Sequence, residues 1–116
     1  MKTIIAACLL LLAACDDNPA QNNSPAIHTI LLEVIGNCRT VDISYDIGDV
    51  RVMWVHGTDL PWTFTCEKPK GTLISLAAQS QDSTGMITVN MYRDAILWKT
   101  SSNSGPYVTA AVQGIL

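Results

Sequence analysis

The chain has 116 residues, seven of them basic and ten acidic, which gives a formal net charge of −3 at pH 7. This length allows one small domain and no more. The acidic balance argues against nucleic-acid binding and against electrostatic adhesion to anionic lipid, because both need clusters of Lys or Arg.

Residues 1–14 are typical of a bacterial lipoprotein signal peptide. Lys2 is followed by an apolar run of ten residues, and the small residues Ala13 and Ala14 precede Cys15. We expect cleavage before Cys15 and attachment of lipid to its thiol, so that the mature chain is anchored in a cell membrane and faces the periplasm or the outside. Cleavage without lipidation is the alternative. The apolar run is too short for a transmembrane helix, which needs about 20 residues.

Residues 15–26 are expected to form the lipidated cysteine and a flexible tether. The stretch from Asp16 to Pro25 has one apolar residue, two prolines and three asparagines, and it is therefore too polar to pack. A flexible coil of this length spans on the order of 17 Å. The domain that follows should therefore lie close to the membrane.

Residues 27–116 are predicted to fold as one all-β domain. Short apolar stretches recur about every ten residues between turn residues, and apolar and polar side chains alternate within them, as Val41, Ile43 and Tyr45 do with Asp42 and Ser44. This pattern predicts an antiparallel β-sandwich or barrel of about seven or eight strands without a regular helix. The predicted strands are Ile27–Ile35, Arg39–Asp46, Val50–His56, Pro61–Cys66, Thr72–Gln79, Gly85–Arg93, Ala95–Thr100 and Tyr107–Gly114.

The large apolar side chains of these strands supply the predicted core. Its members are Ile30, Leu32, Val34, Val41, Ile43, Tyr45, Val52, Trp54, Trp62, Phe64, Leu76, Ile87, Val89, Met91, Trp98 and Val108. Between two of the strands, Arg93-Asp94-Ala95 predicts a tight hairpin in which Asp94 takes the left-handed conformation. Ala95 stands where such turns prefer glycine, at a cost of about 1 kcal/mol.

The sequence shows no catalytic, metal-binding or cofactor-binding pattern. It has neither a G-x-S-x-G nucleophile elbow nor a glycine-rich phosphate loop. The two histidines, His28 and His56, lack the close Cys, His or carboxylate neighbours of a metal site. Asp42 and Asp46 share a strand face and are interpreted as solvated side chains. We therefore expect no catalytic residues, no metal and no cofactor.

Cys38 and Cys66 are a candidate disulfide. An extracytoplasmic compartment permits such a bond, which typically contributes about 2–4 kcal/mol. If consecutive strands simply alternate in direction, however, the two thiols lie at opposite ends of strands roughly 26 Å long, beyond disulfide reach. A bridge needs an irregular crossing around residues 57–61. Both states are left open.

Tryptophan raises a second open choice. Trp54, Trp62 and Trp98 suit a core, but an exposed tryptophan can instead anchor a partner or rest at a membrane interface. The pair Pro61-Trp62 is the best candidate for such a partner-binding anchor.

Five short segments resemble, in order, the MmpS family of small mycobacterial membrane proteins and similar short domains of bacterial lipoproteins. They are Glu33-Val34-Ile35-Gly36, Val41-Asp42-Ile43-Ser44-Tyr45, Leu60-Pro61-Trp62, Leu76-Ala77-Ala78-Gln79 and Gly105-Pro106-Tyr107. The resemblance implies an immunoglobulin-like β-sandwich outside the cytoplasm. It also implies a non-catalytic accessory role beside a transporter of the resistance-nodulation-division class that exports lipids or siderophores.

The chain departs from that family in two respects. A lipid anchor replaces the family's transmembrane helix, and the late cysteine pair of some members is missing from residues 87–92 and 108–114. The leading hypothesis is therefore a non-enzymatic lipoprotein that binds a partner in the cell envelope, such as a transporter or another membrane protein. A carrier of a small apolar ligand is the second hypothesis, and an enzyme is the weakest. Asp16 after Cys15 favours inner-membrane retention in enteric bacteria, but the choice between inner and outer membrane stays open.

Overall fold

The computed structural model describes residues 26–116. The predicted signal peptide, the lipidation site Cys15 and the tether up to residue 25 lie outside the described residues. Within residues 26–116 the chain forms eight strands, and this part contains no helix able to cross a membrane. The strands are β1 Ile27–Gly36, β2 Val41–Asp46, β3 Met53–Thr58, β4 Trp62–Pro69, β5 Leu73–Ser80, β6 Met86–Arg93, β7 Ile96–Ser104 and β8 Thr109–Ile115.

The strands form two four-stranded antiparallel sheets that pack as a sandwich, so the predicted fold class is confirmed. The first sheet has the order β4-β1-β6-β7 and the second the order β3-β2-β5-β8. Strand β1 pairs with β4, as strand B pairs with strand E in immunoglobulin domains. Strand β2 pairs with β5, as strand C pairs with strand F. Strand β6 lies on the other side of β1, and β7 extends this sheet to its edge.

Period-two alternation places one face of each central strand in the core. In β1 the side chains of Ile30, Leu32 and Val34 are fully buried, and the residues between them face outward. Burial of each such side chain contributes about 1.5–3 kcal/mol. The largest fully buried side chains are Ile30, Leu32, Val34, Val41, Ile43, Ile74, Leu76, Ile87, Val89 and Met91.

Aromatic side chains cover the margins of this core. On one side, the ring of Tyr45 lies 5.5 Å from Trp62 and 5.0 Å from Phe64, between centroids. On the other side, Trp98 of β7 lies on Gly114 of β8, where an added Cβ would come within 2.5 Å of the indole. Gly114 therefore lets the edges of the two sheets approach each other closely.

The connections form two ends of different character. The end where β1 begins, here called the tether end, comprises Ala26, the loop 47–52, the turns 70–72 and 94–95, and Leu116. It is held together by hydrogen bonds from the Lys70 amide to the Ala26 carbonyl (2.7 Å) and from the Gly71 amide to the Leu116 carbonyl (2.6 Å). The opposite end, called the far end, comprises residues 37–40, 59–61, 81–85 and 105–108.

The predicted β6–β7 hairpin is present at the tether end. Asp94 and Ala95 have φ angles of 53° and 69°, so both are left-handed. The Asp94 carboxylate accepts a hydrogen bond from the Thr29 amide (2.9 Å) and lies 2.6 Å from His28 Nδ1. These two contacts lower the pKa of Asp94, the histidine contact more than the amide. Asp94 therefore connects the hairpin to the first residues of β1.

Replacing Ala95 with glycine should stabilise the protein by about 1 kcal/mol, because glycine adopts positive φ without the Cβ clash of alanine. The gain should appear as a higher urea midpoint for the full-length protein in detergent, followed by tryptophan fluorescence. A midpoint equal to or lower than that of the parent would contradict the left-handed conformation of residue 95.

Cys38 and Cys66 are free thiols in the structure, which is one of the two states that the sequence left open. Cys66 on β4 pairs with Ile30, whereas Cys38 follows β1 at the far end and is buried against Gly85. From Ile30 to Gly36 alone, six residues of extended strand cover about 20 Å, which no disulfide can span. Burial raises the pKa of the Cys66 thiol.

Candidate partner-binding surface

On the outer face of the second sheet, one large side chain lies next to a row of three small ones. Strand pairing aligns Trp54 of β3 with Ser44 of β2, Ser44 with Ala77 of β5, and Ala77 with Ala111 of β8. Outward-facing residues that pair directly are about 5 Å apart. The indole therefore borders a row of three short side chains.

This row forms the floor of an open groove of about 330 Å³. The groove combines apolar and hydroxyl or amide groups. Its lining residues are Ser44, Tyr45, Val52, Ser75, Leu76, Ala77, Ala111, Val112 and Gln113. Such a mixture can accept an apolar ridge and hydrogen-bond the polar groups beside it. We call the groove together with Trp54 the Trp54 face.

Trp54 is 61% exposed and lies beside His56 of the same strand. Its ring stacks on the imidazole of His56, with centroids 5.8 Å apart and planes 5° apart. His56 in turn lies 3.9 Å from a carboxylate oxygen of Asp42, and the same oxygen accepts the Gly57 amide at 2.8 Å. A large apolar ring is thus presented to solvent, with His56 stacked on one of its faces.

Exposure of Trp54 contradicts its predicted place in the core, and Val52 is likewise exposed. The reason is which set of alternating side chains in β3 faces the core. Val55 packs against the core opposite Ile43, and the residues one and three positions before it consequently point outward. Trp62, Phe64, Trp98 and Val108 are at the core margin, as partly buried side chains. Ile74, which the core prediction omitted, is fully buried.

The other candidate anchor, Pro61-Trp62, lies at the start of β4. Pro61 is exposed and follows a cis peptide bond, and Trp62 is half-buried against Tyr45. The ring of Trp62 therefore covers the core edge more than it faces solvent. A partner-binding role for this pair stays a prediction.

The two histidines lie at separate places. His28 contacts Asp94 at the tether end, and His56 stacks on Trp54. Within residues 26–116, no three His, Cys, Asp or Glu side chains come together in a way that could hold a metal ion. Each histidine lies near one carboxylate, His28 near Asp94 of the β6–β7 turn and His56 near Asp42 of β2.

A second concavity of about 710 Å³ lies at the far end and is lined mainly by polar groups. Its lining residues are Asn37, Arg39, Gln81, Asp82, Ser83, Thr84, Gly85 and Tyr107. Asp82 connects two of its loops, since its side chain accepts the Arg39 amide at 2.6 Å and its carbonyl accepts the Tyr107 amide at 2.9 Å. The far end is therefore more polar than the Trp54 face.

A comparison of this chain with protein-family models gives no match, and a comparison with curated proteins gives none either.

Proposed function

We propose that this chain is a non-enzymatic extracytoplasmic lipoprotein, anchored in a cell membrane through Cys15, whose sandwich binds a cell-envelope protein on the Trp54 face. The exposed indole beside a groove of small side chains carries the proposal. Tryptophan is enriched among the residues that dominate binding energy at protein interfaces, where such anchors fill pockets at the centre of the contact. The sequence pattern of residues 1–15 supports the lipid anchor in this proposal.

The charges around the groove indicate the chemistry of the partner. Asp42 and Asp46 flank Ser44 on the outward side of β2, and both are partly exposed. One oxygen of Asp42 accepts the Gln81 side-chain amide at 3.0 Å, and Asp46 accepts the Gly48 amide at 2.9 Å. Because the carboxylates are fixed by these bonds, a partner that presents Lys or Arg beside an apolar ridge fits this face best.

The resemblance to MmpS-like proteins points to a transporter of the envelope as the kind of partner. In that interpretation the chain is an accessory protein that stays beside a membrane-embedded complex. A short lipid-anchored chain suits this role, because anchoring raises the local concentration of the domain near the partner.

Photo-crosslinking in intact cells tests the proposal. Benzoylphenylalanine in place of Ala111 reports contacts in the groove, and the same residue in place of Thr63, exposed on the first sheet, serves as the matched control. We expect an adduct with one identified envelope membrane protein from position 111 and not from position 63. Identical adducts from both positions, or none from position 111, would contradict the proposal.

A carrier of a small apolar ligand is the second candidate, because a volume of about 330 Å³ lies at the lower end of small-molecule sites. The openness of the groove and its serine and glutamine lining favour a protein partner. Native mass spectrometry of the protein extracted from its membrane separates the two: a stoichiometric bound small molecule supports the carrier, and its absence together with the position-111 adduct supports partner binding.

A further inference from the structure

The aliphatic side chains that the fold leaves most exposed are gathered at the tether end. In residues 26–116, four large aliphatic side chains are at least 60% exposed: Ile27, Val50, Ile96 and Ile115. They belong to four separate segments, namely the start of β1, the β2–β3 loop, the start of β7 and the end of β8. Leu73 and Leu97, also exposed, lie beside them. The exposed apolar groups therefore surround the end and do not form one patch on its side.

The far end is more polar, although Tyr107 is exposed there. Its concavity is lined by amide, hydroxyl and charged groups, including Asp82 and Arg39. The balance of basic and acidic side chains also differs between the two ends. At the tether end and in the adjoining strand ends, four basic side chains are balanced by four carboxylates, and Asp49 accepts a hydrogen bond from Lys68 at 2.8 Å. The basic residues are Arg51, Lys68, Lys70 and Arg93, and the acidic ones are Asp46, Asp49, Glu67 and Asp94. At the far end and in the adjoining start of β2, Asp42, Asp59 and Asp82 are accompanied by one basic residue, Arg39.

The tether end is also where the preceding chain must enter. Ile27 opens β1 at this end, and eleven residues lie between it and Cys15. A chain of that length reaches at most about 40 Å when fully extended. The protein end nearest to the attachment point is thus the end with the most exposed aliphatic side chains, and its basic and acidic side chains balance.

From these observations we infer that the tether end rests on the membrane surface, with Ile27, Val50, Ile96 and Ile115 inserted at the lipid interface. The inference rests on the lipid anchor of the proposed function and adds the orientation of the domain. A lipid surface fits these side chains because it can contact all four segments at once and does not need a complementary shape. A weak contact is sufficient, since the anchor holds the chain at the surface.

In this orientation the strands stand upright on the membrane, because they run from the tether end to the far end. The Trp54 face then points sideways, parallel to the membrane plane. It is open to a neighbouring membrane protein rather than to the lipid.

Fluorescence quenching by spin-labelled lipid tests the orientation. The full-length lipidated protein is reconstituted into phosphatidylethanolamine–phosphatidylglycerol vesicles with a fluorescent amino acid in place of Val50 or, as the matched control, of Ser83 at the far end. Both positions are exposed loop residues, so neither change disturbs the core. We expect quenching and a blue shift at position 50 and neither at position 83. Equal quenching at the two positions, or none at position 50, would overturn the inference.

A second variant shows whether the aliphatic groups cause the contact. Val50→Asp combined with Ile96→Asp should reduce quenching of a probe at Ile115 about threefold or more, because interfacial binding scales with buried apolar area. Unchanged quenching would overturn the role of these side chains.

The anchor itself is checked separately by the mass of the purified chain. A chain without lipid would contradict the proposed function alone. In that case excess vesicles are added to the chain, and the comparison of positions 50 and 83 still decides the orientation.

Discussion

Replacing Gly36 with alanine should lower the free energy of unfolding by about 3 kcal/mol or more. Gly36 has a φ of 151°, and a Cβ built on it would lie 2.1 Å from the carbonyl oxygen of Met86 and 3.0 Å from the Cα of Ile87. Both atoms belong to the backbone of β6, the strand that pairs with β1, and they cannot rotate away as a side chain would. For a domain of this size the melting temperature should fall by roughly 12 °C or more. Thermal unfolding of the full-length protein in detergent, followed by tryptophan fluorescence, measures the change.

Gly57→Ala is the matched control for this variant. Gly57 also has positive φ, 62°, but nothing lies within 4 Å of the position that a Cβ would occupy. Alanine there should cost only the left-handed penalty of about 1–2 kcal/mol. If Gly36→Ala and Gly57→Ala destabilise the protein equally, the close approach of β6 to Gly36 is wrong.

The strand content was predictable because alternation is a local signal. Val41, Ile43 and Tyr45 face inward in β2 as their spacing indicates, and every predicted stretch corresponds to a strand. The largest difference in length is at β7: the predicted strand ends at Thr100, whereas β7 continues through the polar residues 101–104. An edge strand needs only backbone hydrogen bonds to β6 there, and such pairing leaves no apolar pattern in the sequence.

The Trp54 face was not predictable, because it depends on two non-local facts. Residues of both parities in the segment from Val52 to Val55 are apolar, so the sequence alone does not reveal which set faces the core. Packing of Val55 against the core settles the choice. The groove floor then needs the register of three strands, which aligns Ser44, Ala77 and Ala111 although they lie far apart in the chain. Register is fixed by the assembled sheet rather than by any one strand.

Trp54→Ala is expected to reduce the position-111 crosslink about tenfold or more while leaving the fold intact. Removal of a central interface tryptophan commonly costs about 2–4 kcal/mol of binding energy, and about 1.4 kcal/mol corresponds to a factor of ten. Stability should change by less than about 1 kcal/mol, since the indole is 61% exposed in the free protein. Adduct yield in cells and the urea midpoint of the purified protein are the two measurements.

Trp62→Ala provides the opposite case in the same assays. Its ring packs against Tyr45 at the core margin, so truncation should cost about 2–3 kcal/mol in stability. Trp54→Phe, which keeps an aromatic ring to stack on His56, should retain most of the crosslink. If Trp54→Ala leaves the adduct unchanged, the indole is not the anchor. If it lowers the urea midpoint as much as Trp62→Ala does, Trp54 serves the fold, and its exposure carries no argument for a partner.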